Sequence, residues 1–359
     1  MSKILFVGPY PPPLNGQSFV FKTVVDNFDD SLILNTSKYR SGLINFWYYF
    51  FTLIFLLFKY RVTLIYFTCS RSFFGSIRDM LLLTIAKILN IKTINHLHGS
   101  DFKQFLDSVN LLYRKIILKC YNHVDASVVL TNGMKEQFED FDRMEKIIIP
   151  NFYPSSFDNI IRTNPSIHRV LFFSNIMRSK GIMEFLDLSE MLLSNNHKIE
   201  IDIAGQLQKD KFMSLKMITG IFFNKYDELK SKYGDRISYH GPAFENEKMI
   251  LFSRSSFFVL PSYHEAFPIS ILEAMKSGNV IISSRTMYIS EIMSEKNGLI
   301  SSNIDEIYNY IVDLISNESE MSRIKNYNSN YVNVYSEERF IKAIKKVLMN
   351  SFTVKSQIG

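Results

Sequence analysis

Cysteine is nearly absent from this sequence. Cys69 and Cys120 are the only two in 359 residues, far apart and in no CxxC pattern. A disulfide framework and a cysteine-built zinc site are thereby excluded, and a reducing, cytoplasmic setting is expected. The N-terminal apolar run, Ile4–Val7, gives way at once to Gly8. That is short of the roughly 7–15 apolar residues of a signal-peptide core, so a first β-strand of a protein that is not secreted is expected. No apolar run reaches the about 20 residues of a membrane span. No tandem repeat or low-complexity tract occurs, the first strand is not followed by a GxGxxG fingerprint, and no HExxH pair is present. Hydrophobic residues at 47% and charged residues at 21% are ordinary globular proportions, which excludes a disordered chain, a collagen-like repeat and a coiled coil. At roughly 100–200 residues per domain the length implies two domains.

Charge is unevenly spread. The net value is +6, but Lys59–Lys119 alone holds ten Lys/Arg against Asp79, Asp101 and Asp107. Such an excess suits an anionic partner, and with no nucleic-acid motif beside it an anionic membrane surface is expected rather than nucleic acid. Just upstream, Leu43–Phe58 reads LINFWYYFFTLIFLLF, sixteen uncharged and mostly apolar residues. The plain reading is a buried helix covering a sheet. The sharper one is a helix whose aromatic side dips into the membrane surface beside the basic stretch.

Strand-like and helical patterns alternate almost from end to end. Strands are expected at Lys3–Val7, Leu32–Leu34, Val62–Phe67, Lys92–His96, Ser127–Leu130 and Lys146–Ile149. Helices are expected between them at Ser18–Phe28, the aromatic run, Phe73–Leu89, Phe102–Tyr121 and Gly133–Phe141. The segment 150–165 has linker composition, with three prolines. Alternation restarts at Arg169–Phe173, Lys198–Ala204, Ile237–His240, Phe257–Leu260 and Val280–Ser283, and an amphipathic helix closes the chain over Ser336–Leu348. Two doubly wound α/β domains with parallel sheets follow: residues 1–155, residues 166–335, and a terminal helix over 336–350. Ligands of such sheets bind outside the carboxyl ends of the strands, so the loops after strands are where function is sought.

Four such loops carry chemistry. After the first strand, GPYPPPLNGQS places Gly16 where a helix begins, so backbone N–H groups can approach a phosphate or sugar. After Lys92–His96 comes HLHGSD, whose His98 is expected to hydrogen-bond a ligand; with only Asp101 nearby, metal binding by His96 and His98 is disfavoured. After Arg169–Phe173, SNIMRSKG sets Arg178 and Lys180 where cations can hold a leaving diphosphate. After Phe257–Leu260, PSYHEAFPISILEAMKSG carries Glu265 before a helix and Glu273 within it. Eight helical residues span about 12 Å. Hydrolytic carboxylate pairs lie roughly 5–9.5 Å apart. The spacing fits two contacts along one extended ligand, with the first amides of the helix, at Phe267–Ile269, receiving phosphate. Asp140-Phe141-Asp142 forms a DxD in a charged stretch and reads as a solvated helix end. Gly205-Gln206 and His240-Gly241-Pro242 are strand-end turns consistent with a nucleotide lying across the second domain.

In order along the chain, these motifs resemble the retaining, nucleotide-sugar-dependent glycosyltransferases of family 4, of the kind that assembles bacterial lipopolysaccharide and capsule. The resemblance implies the GT-B fold, two Rossmann-like doubly wound domains facing a central cleft. It implies that Gly16 lets the backbone approach the donor, that His98 hydrogen-bonds the transferred sugar, and that Lys180 neutralises the diphosphate. It further implies that Glu265 contacts the sugar and Glu273 the ribose, that the amides of Phe267, Ile269 and Ser270 cradle phosphate, and that Gly205, His240 and Gly241 line the donor site. Catalysis would fall to His98, Glu265 and Lys180, with no metal or other cofactor. Where the family usually has arginine five residues before the lysine, this chain has Asn175; Arg178 is the candidate second cation. Ser174 and Gln17 likewise stand where glycine is usual. The implied reaction moves a sugar, from a UDP-sugar rather than GDP-mannose, onto a lipid-linked or saccharide acceptor in O-antigen, capsule or exopolysaccharide synthesis. The implied location is the cytoplasm, peripheral on the inner membrane face. A nucleotide-sugar 2-epimerase and a non-catalytic nucleotide-sugar binding subunit are the competing readings.

Overall fold

Parallel strands buried on both faces read as unbroken apolar runs, and the chain folds accordingly into two units, each with one six-stranded parallel sheet. The computed structural model describes residues 3–29, 31–39, 41–161, 167–195 and 198–353, with side chains to Ser351. Residues 162–165 of the expected linker, and residue 166 where the second domain is expected to open, lie outside the described residues.

Unit 1 comprises residues 1–151 and 338–359. Its strands are β1 (Lys3–Gly8), β2 (Leu32–Asn35), β3 (Val62–Thr68), β4 (Lys92–His96), β5 (Ala126–Val129) and β6 (Glu145–Ile148), in the order β2-β1-β3-β4-β5-β6. Between them run α1 (Gly16–Asp26), α2 (Gly42–Lys59), α3 (Phe73–Ile88), α4 (Phe102–Ser108) and α5 (Leu111–Tyr121). The helix expected over Phe102–Tyr121 is thus two, divided at Val109-Asn110, where Asn110 caps the second by accepting from the Tyr113 amide at 2.9 Å. The helix expected at 133–141 is a 3₁₀ turn over Gly133–Phe138.

The aromatic run does form a helix, α2, but it is not buried. Only Tyr49 and Leu53 are enclosed, and 11% of the helix is buried. The turns of α2 instead present Ile44, Trp47, Phe51, Phe55 and Phe58 to the outside, Phe58 at 87% exposure. Their spacing of three and four residues makes them one stripe. The core-helix expectation fails because the sheet needs only the opposite face, where Tyr49 also stacks against Arg78.

Unit 2 comprises residues 152–337. Its strands are β7 (His168–Phe173), β8 (Ile199–Ala204), β9 (Ile237–Tyr239), β10 (Phe257–Leu260), β11 (Val280–Ser283) and β12 (Gly298–Ile300), in the order β12-β11-β10-β7-β8-β9. The helices are α6 (Ile182–Asn195), α7 (Leu215–Tyr233), α8 (Glu245–Arg254), α9 (Ile269–Lys276), α10 (Ile304–Ser316) and α11 (Glu318–Tyr331). Asn328 of α11 is fully buried and binds the Asn279 and Asn297 carbonyls at 2.7 and 2.9 Å, fastening the helix to the β11–β12 side.

The unit boundaries differ from those expected. Phe152–Asn159 belongs to unit 2, because Tyr153 pairs with Tyr335 and Ser336, and Phe157 packs on Phe252. The last helix, α12 (Glu337–Thr353), packs with unit 1 through Phe340 against His96 and through Ser351, whose carbonyl accepts from Lys92 at 3.0 Å.

Candidate functional site: the strand ends of the two sheets

In the second sheet the chain leaves β7 toward β8 on one side, while β10 lies on the other. The point where strand order reverses opens a crevice at the carboxyl ends, the usual ligand position in open α/β sheets. The loops flanking it are those after β7 and β10, which carry Lys180 and Glu265. Lys180 Nζ donates to Glu265 Oε1 at 2.7 Å, with both side chains mostly buried.

Local structure explains how two loops 85 positions apart in sequence meet so closely. Met177–Lys180 turns tightly and ends in Gly181 at φ +74°. A Cβ on Gly181 would lie 1.9 Å from the Pro261 carbonyl oxygen, so only glycine lets the two loops touch. The contact is sealed by the Tyr263 amide and the Ser262 hydroxyl, both donating to the Ser179 carbonyl at 2.9 and 3.1 Å. Asp210 holds the turn from the other side by accepting from the Ser179, Phe212 and Met213 amides; burial opposes its charge, but these donors keep its pKa below the ordinary value.

Arg178 faces Glu184, both of whose oxygens lie 2.6 Å from Nη1, and stacks 4.9 Å from the Tyr263 ring centre. Tyr263 also donates to Glu184 at 2.5 Å, and burial with this bond pushes its hydroxyl up to about 12. The positive charge expected of Arg178 is therefore matched by a carboxylate.

Pro268 precedes α9 and no side chain caps it, so the amides of Ile269 and Ser270 open the helix. Phe267 is buried, its ring 5.5 Å from Tyr335. One face of α9 is core, and within it Glu273 is 1% exposed and pairs with Lys248 of α8.

Gly205 and Gly241 meet after β8 and β9, the Gly205 amide donating to the Gly241 carbonyl at 2.8 Å. Gly205, at φ +150°, leaves no room for a side chain: a Cβ would sit 1.7 Å from the Ser174 carbonyl. His240 Nε2 lies 2.7 Å from Asp202 Oδ1, and Arg254 Nη2 donates to the same oxygen at 2.6 Å. Burial alone would raise the Asp202 pKa; the bond from His240 and the charges of Arg254 and Arg169 hold it below the ordinary value.

In unit 1, Gly16 opens α1 behind a reciprocal cap, Ser18 amide to Asn15 Oδ1 at 3.0 Å and Asn15 amide to Ser18 Oγ at 2.8 Å. His98 follows β4, its ring centre 4.0 Å from that of His96, which in turn bonds Tyr66 through Nδ1 at 2.5 Å. Both His98 ring nitrogens are buried without a partner among the described residues. Burial, helped by the nearby Arg71 charge, pushes the His98 pKa down to about 3, so the ring is neutral at neutral pH. Asp140 of the DxD is engaged by Arg114 at 3.2 Å.

The structure thus joins Lys180 to Glu265 and Gly205 to Gly241, and places Gly16 and His98 at strand ends of the other sheet. Lys248, Asp202, Arg254 and Glu184 are absent from the sequence reading. Asp202 had a signal, a charge inside the apolar strand IEIDIA. Lys248 had none, because its helix is polar along most of its length.

A proton that the folded state refuses and the unfolded state accepts lowers stability on acidification. With a folded pKa of about 3 against an ordinary 6.5, the neutral His98 contributes its full stability above pH 6.5, and that is lost as pH falls toward 3. Between pH 7 and 4 the wild type should lose about 3 kcal/mol more than His98→Gln, read by urea unfolding. Equal losses would contradict the buried neutral ring.

Residues 158–331 match the family described as Glycosyl transferases group 1. A curated relative, the alpha-galactosylglucosyldiacylglycerol synthase of Streptococcus pneumoniae, is 23% identical over 232 residues, covering 57% of this chain. The match spans 61% of that relative's length. Among solved structures, the sucrose-phosphate synthase of Thermosynechococcus elongatus is similar with TM-score 0.76 at 13% identity, covering 98% of this chain and all of that one. Anabaena HepE in complex with UDP-glucose is similar with TM-score 0.74 at 14% identity, covering 97% of this chain and 99% of that one. These likenesses establish the two-domain α/β fold of the GT-B type. The stretch that matches the glycosyl transferases group 1 family lies within the second unit.

Proposed function

We propose that this protein transfers a sugar from a UDP-sugar to a lipid-linked or saccharide acceptor with retention of configuration, at the cytoplasmic membrane face, in bacterial surface-polysaccharide synthesis. The observation that carries the reading is the Lys180–Glu265 pair at the switch point of the second sheet. A diphosphate placed there draws Lys180 toward its leaving oxygens, where charge develops in the transition state. Glu265 then turns to the sugar hydroxyls, the α9 amides at Ile269 and Ser270 take phosphate, and Glu273 takes the ribose hydroxyls. Arg178 is held by Glu184, so Lys180 is the main cation for the leaving group, and the proposed transfer uses no bound metal.

His98 is neutral, which suits it to hydrogen-bond a sugar hydroxyl near the reacting carbon rather than to act as an acid. The acceptor hydroxyl attacks from the face the diphosphate leaves, and a leaving-group oxygen takes its proton. The donor choice draws support from the fold likeness to a protein solved with UDP-glucose. A lipid acceptor draws support from the partial match to a glycolipid synthase.

The α2 stripe supports a peripheral membrane site. By length and composition α2 could cross a bilayer, but β2 and β3 belong to one sheet and fix both its ends, and we place it along the membrane surface. Lys59 at its end and the basic residues beyond it supply attraction to anionic lipid.

Purified protein supplied with UDP-glucose or UDP-galactose, a membrane lipid extract and no magnesium should release UDP and form an α-linked product. His98→Ala should lower kcat about a hundredfold with KM for donor changed less than threefold, whereas Glu273→Ala should raise that KM. A β-linked product would overturn the retaining mechanism, and unchanged kinetics in both variants would overturn the site. On phosphatidylglycerol-containing vesicles, Phe51→Ser with Phe55→Ser should reduce binding at least tenfold. Equal partition of variant and wild type would remove the membrane site.

A further inference from the structure

The first sheet has its own switch point, between β1 and β3, because the chain leaves β1 toward β2 while β3 lies on the other side. The loop after β3, Cys69–Ser72, holds Arg71, a cation that the reaction described above does not use. Its backbone is fixed on both sides. The buried Asp79 carboxylate accepts from the Ser70 amide at 2.8 Å, from the Ser70 hydroxyl at 3.1 Å and from the Tyr121 hydroxyl at 2.8 Å. Ser72 caps α3, accepting from the Gly75 amide at 3.3 Å.

The guanidinium is fixed as well. It packs closely against Gly99, where a Cβ would sit 1.6 Å from Nη1 and 2.1 Å from Cζ. Any other residue at position 99 would displace it. Nη1 holds Asp101. Nε and Nη2 have no partner among the described residues, and the side chain is 29% exposed. That edge offers two parallel N–H donors, the fork that matches two oxygens of one anion. His98, with both ring nitrogens unpartnered, is the residue before Gly99. The surrounding stretch 59–119 carries ten basic and three acidic residues, which favours a doubly charged anion over a singly charged one.

We propose that Arg71 and His98 form an acceptor subsite in unit 1, Arg71 gripping a phosphate ester on the acceptor while His98 meets a hydroxyl. The proposal rests on the glycosyl-transfer reading, since it names the chemical class of that reaction's acceptor. The phosphate has two sources, a soluble phosphosugar or a polyprenyl phosphate in a membrane.

Calorimetry on the full chain separates them. One arm titrates glucose 6-phosphate, glucose and glucuronate in the presence of saturating UDP, which occupies the nucleotide site of unit 2. The other compares phosphatidylcholine vesicles with and without polyprenyl phosphate. At least one phosphate probe should bind tenfold or more tighter than its uncharged counterpart. Arg71→Gln should abolish that preference, and Arg71→Lys, a point charge without the fork, should reduce it severalfold, keeping the test decisive if Arg71→Gln folds poorly. Equal binding of phosphate and uncharged probes, glucuronate binding as tightly as glucose 6-phosphate, or undiminished preference in both variants would overturn the assignment. UDP affinity is measured in parallel. If UDP fails to bind, the glycosyl-transfer reading falls, while the phosphate titrations, repeated without UDP, still decide the role of Arg71.

Discussion

The geometry of unit 2 depends on a lysine and a glutamate held together where the strand order of a parallel sheet reverses. Glu265 is nearly enclosed, and a buried carboxylate without a partner is strongly disfavoured. Lys180 supplies the partner, so the two loops must meet, and Gly181 is the residue that allows their backbones to approach. The same need recurs on either side. Glu273 draws in Lys248, and Asp202 draws in His240 and Arg254. Cations and carboxylates thus stand in matched pairs through unit 2, and in the proposed reaction an arriving diphosphate would compete with Glu265 for Lys180. On that proposal the exchange of partners takes place as the donor binds, so that Lys180 is in position when charge develops in the transition state.

Unit 1 solves a different problem with the same architecture. Its strand ends hold a neutral imidazole, stacked on a second one that a buried tyrosine orients. Neutrality follows from enclosure, and it leaves His98 with two uncharged, unpartnered nitrogens able to meet hydroxyl groups. Beside it, Asp79 holds the Ser70 backbone, while Asp101 and the close approach of Gly99 set the Arg71 guanidinium. Outside, α2 encloses Tyr49 and Leu53 and exposes Trp47, Phe51, Phe55 and Phe58 on another face.

Most of the architecture is legible in the sequence because buried parallel strands are short, apolar and β-rich. Eleven of the strands are visible in that pattern; β12, three residues between polar turns, is not. The position of the candidate residues on strand-end loops is legible too, since Lys180, Glu265 and His98 each follow a readable strand. Partners brought in from other elements are not, because nothing in the local pattern around Lys248 or Glu184 records what they face. The aromatic helix shows the other limit. Periodicity locates α2, but its sixteen uncharged residues do not reveal which face the sheet takes, and the reading of it as core fails on that point.

The most direct test is the affinity for UDP-glucose, UDP and uridine of wild type and of Lys180→Ala, measured by calorimetry. The account predicts that the wild type binds both diphosphates, that the variant binds them at least tenfold more weakly, and that uridine binding is unchanged. Equal affinities of the two proteins for UDP-glucose would contradict the placement of the diphosphate at the Lys180–Glu265 pair.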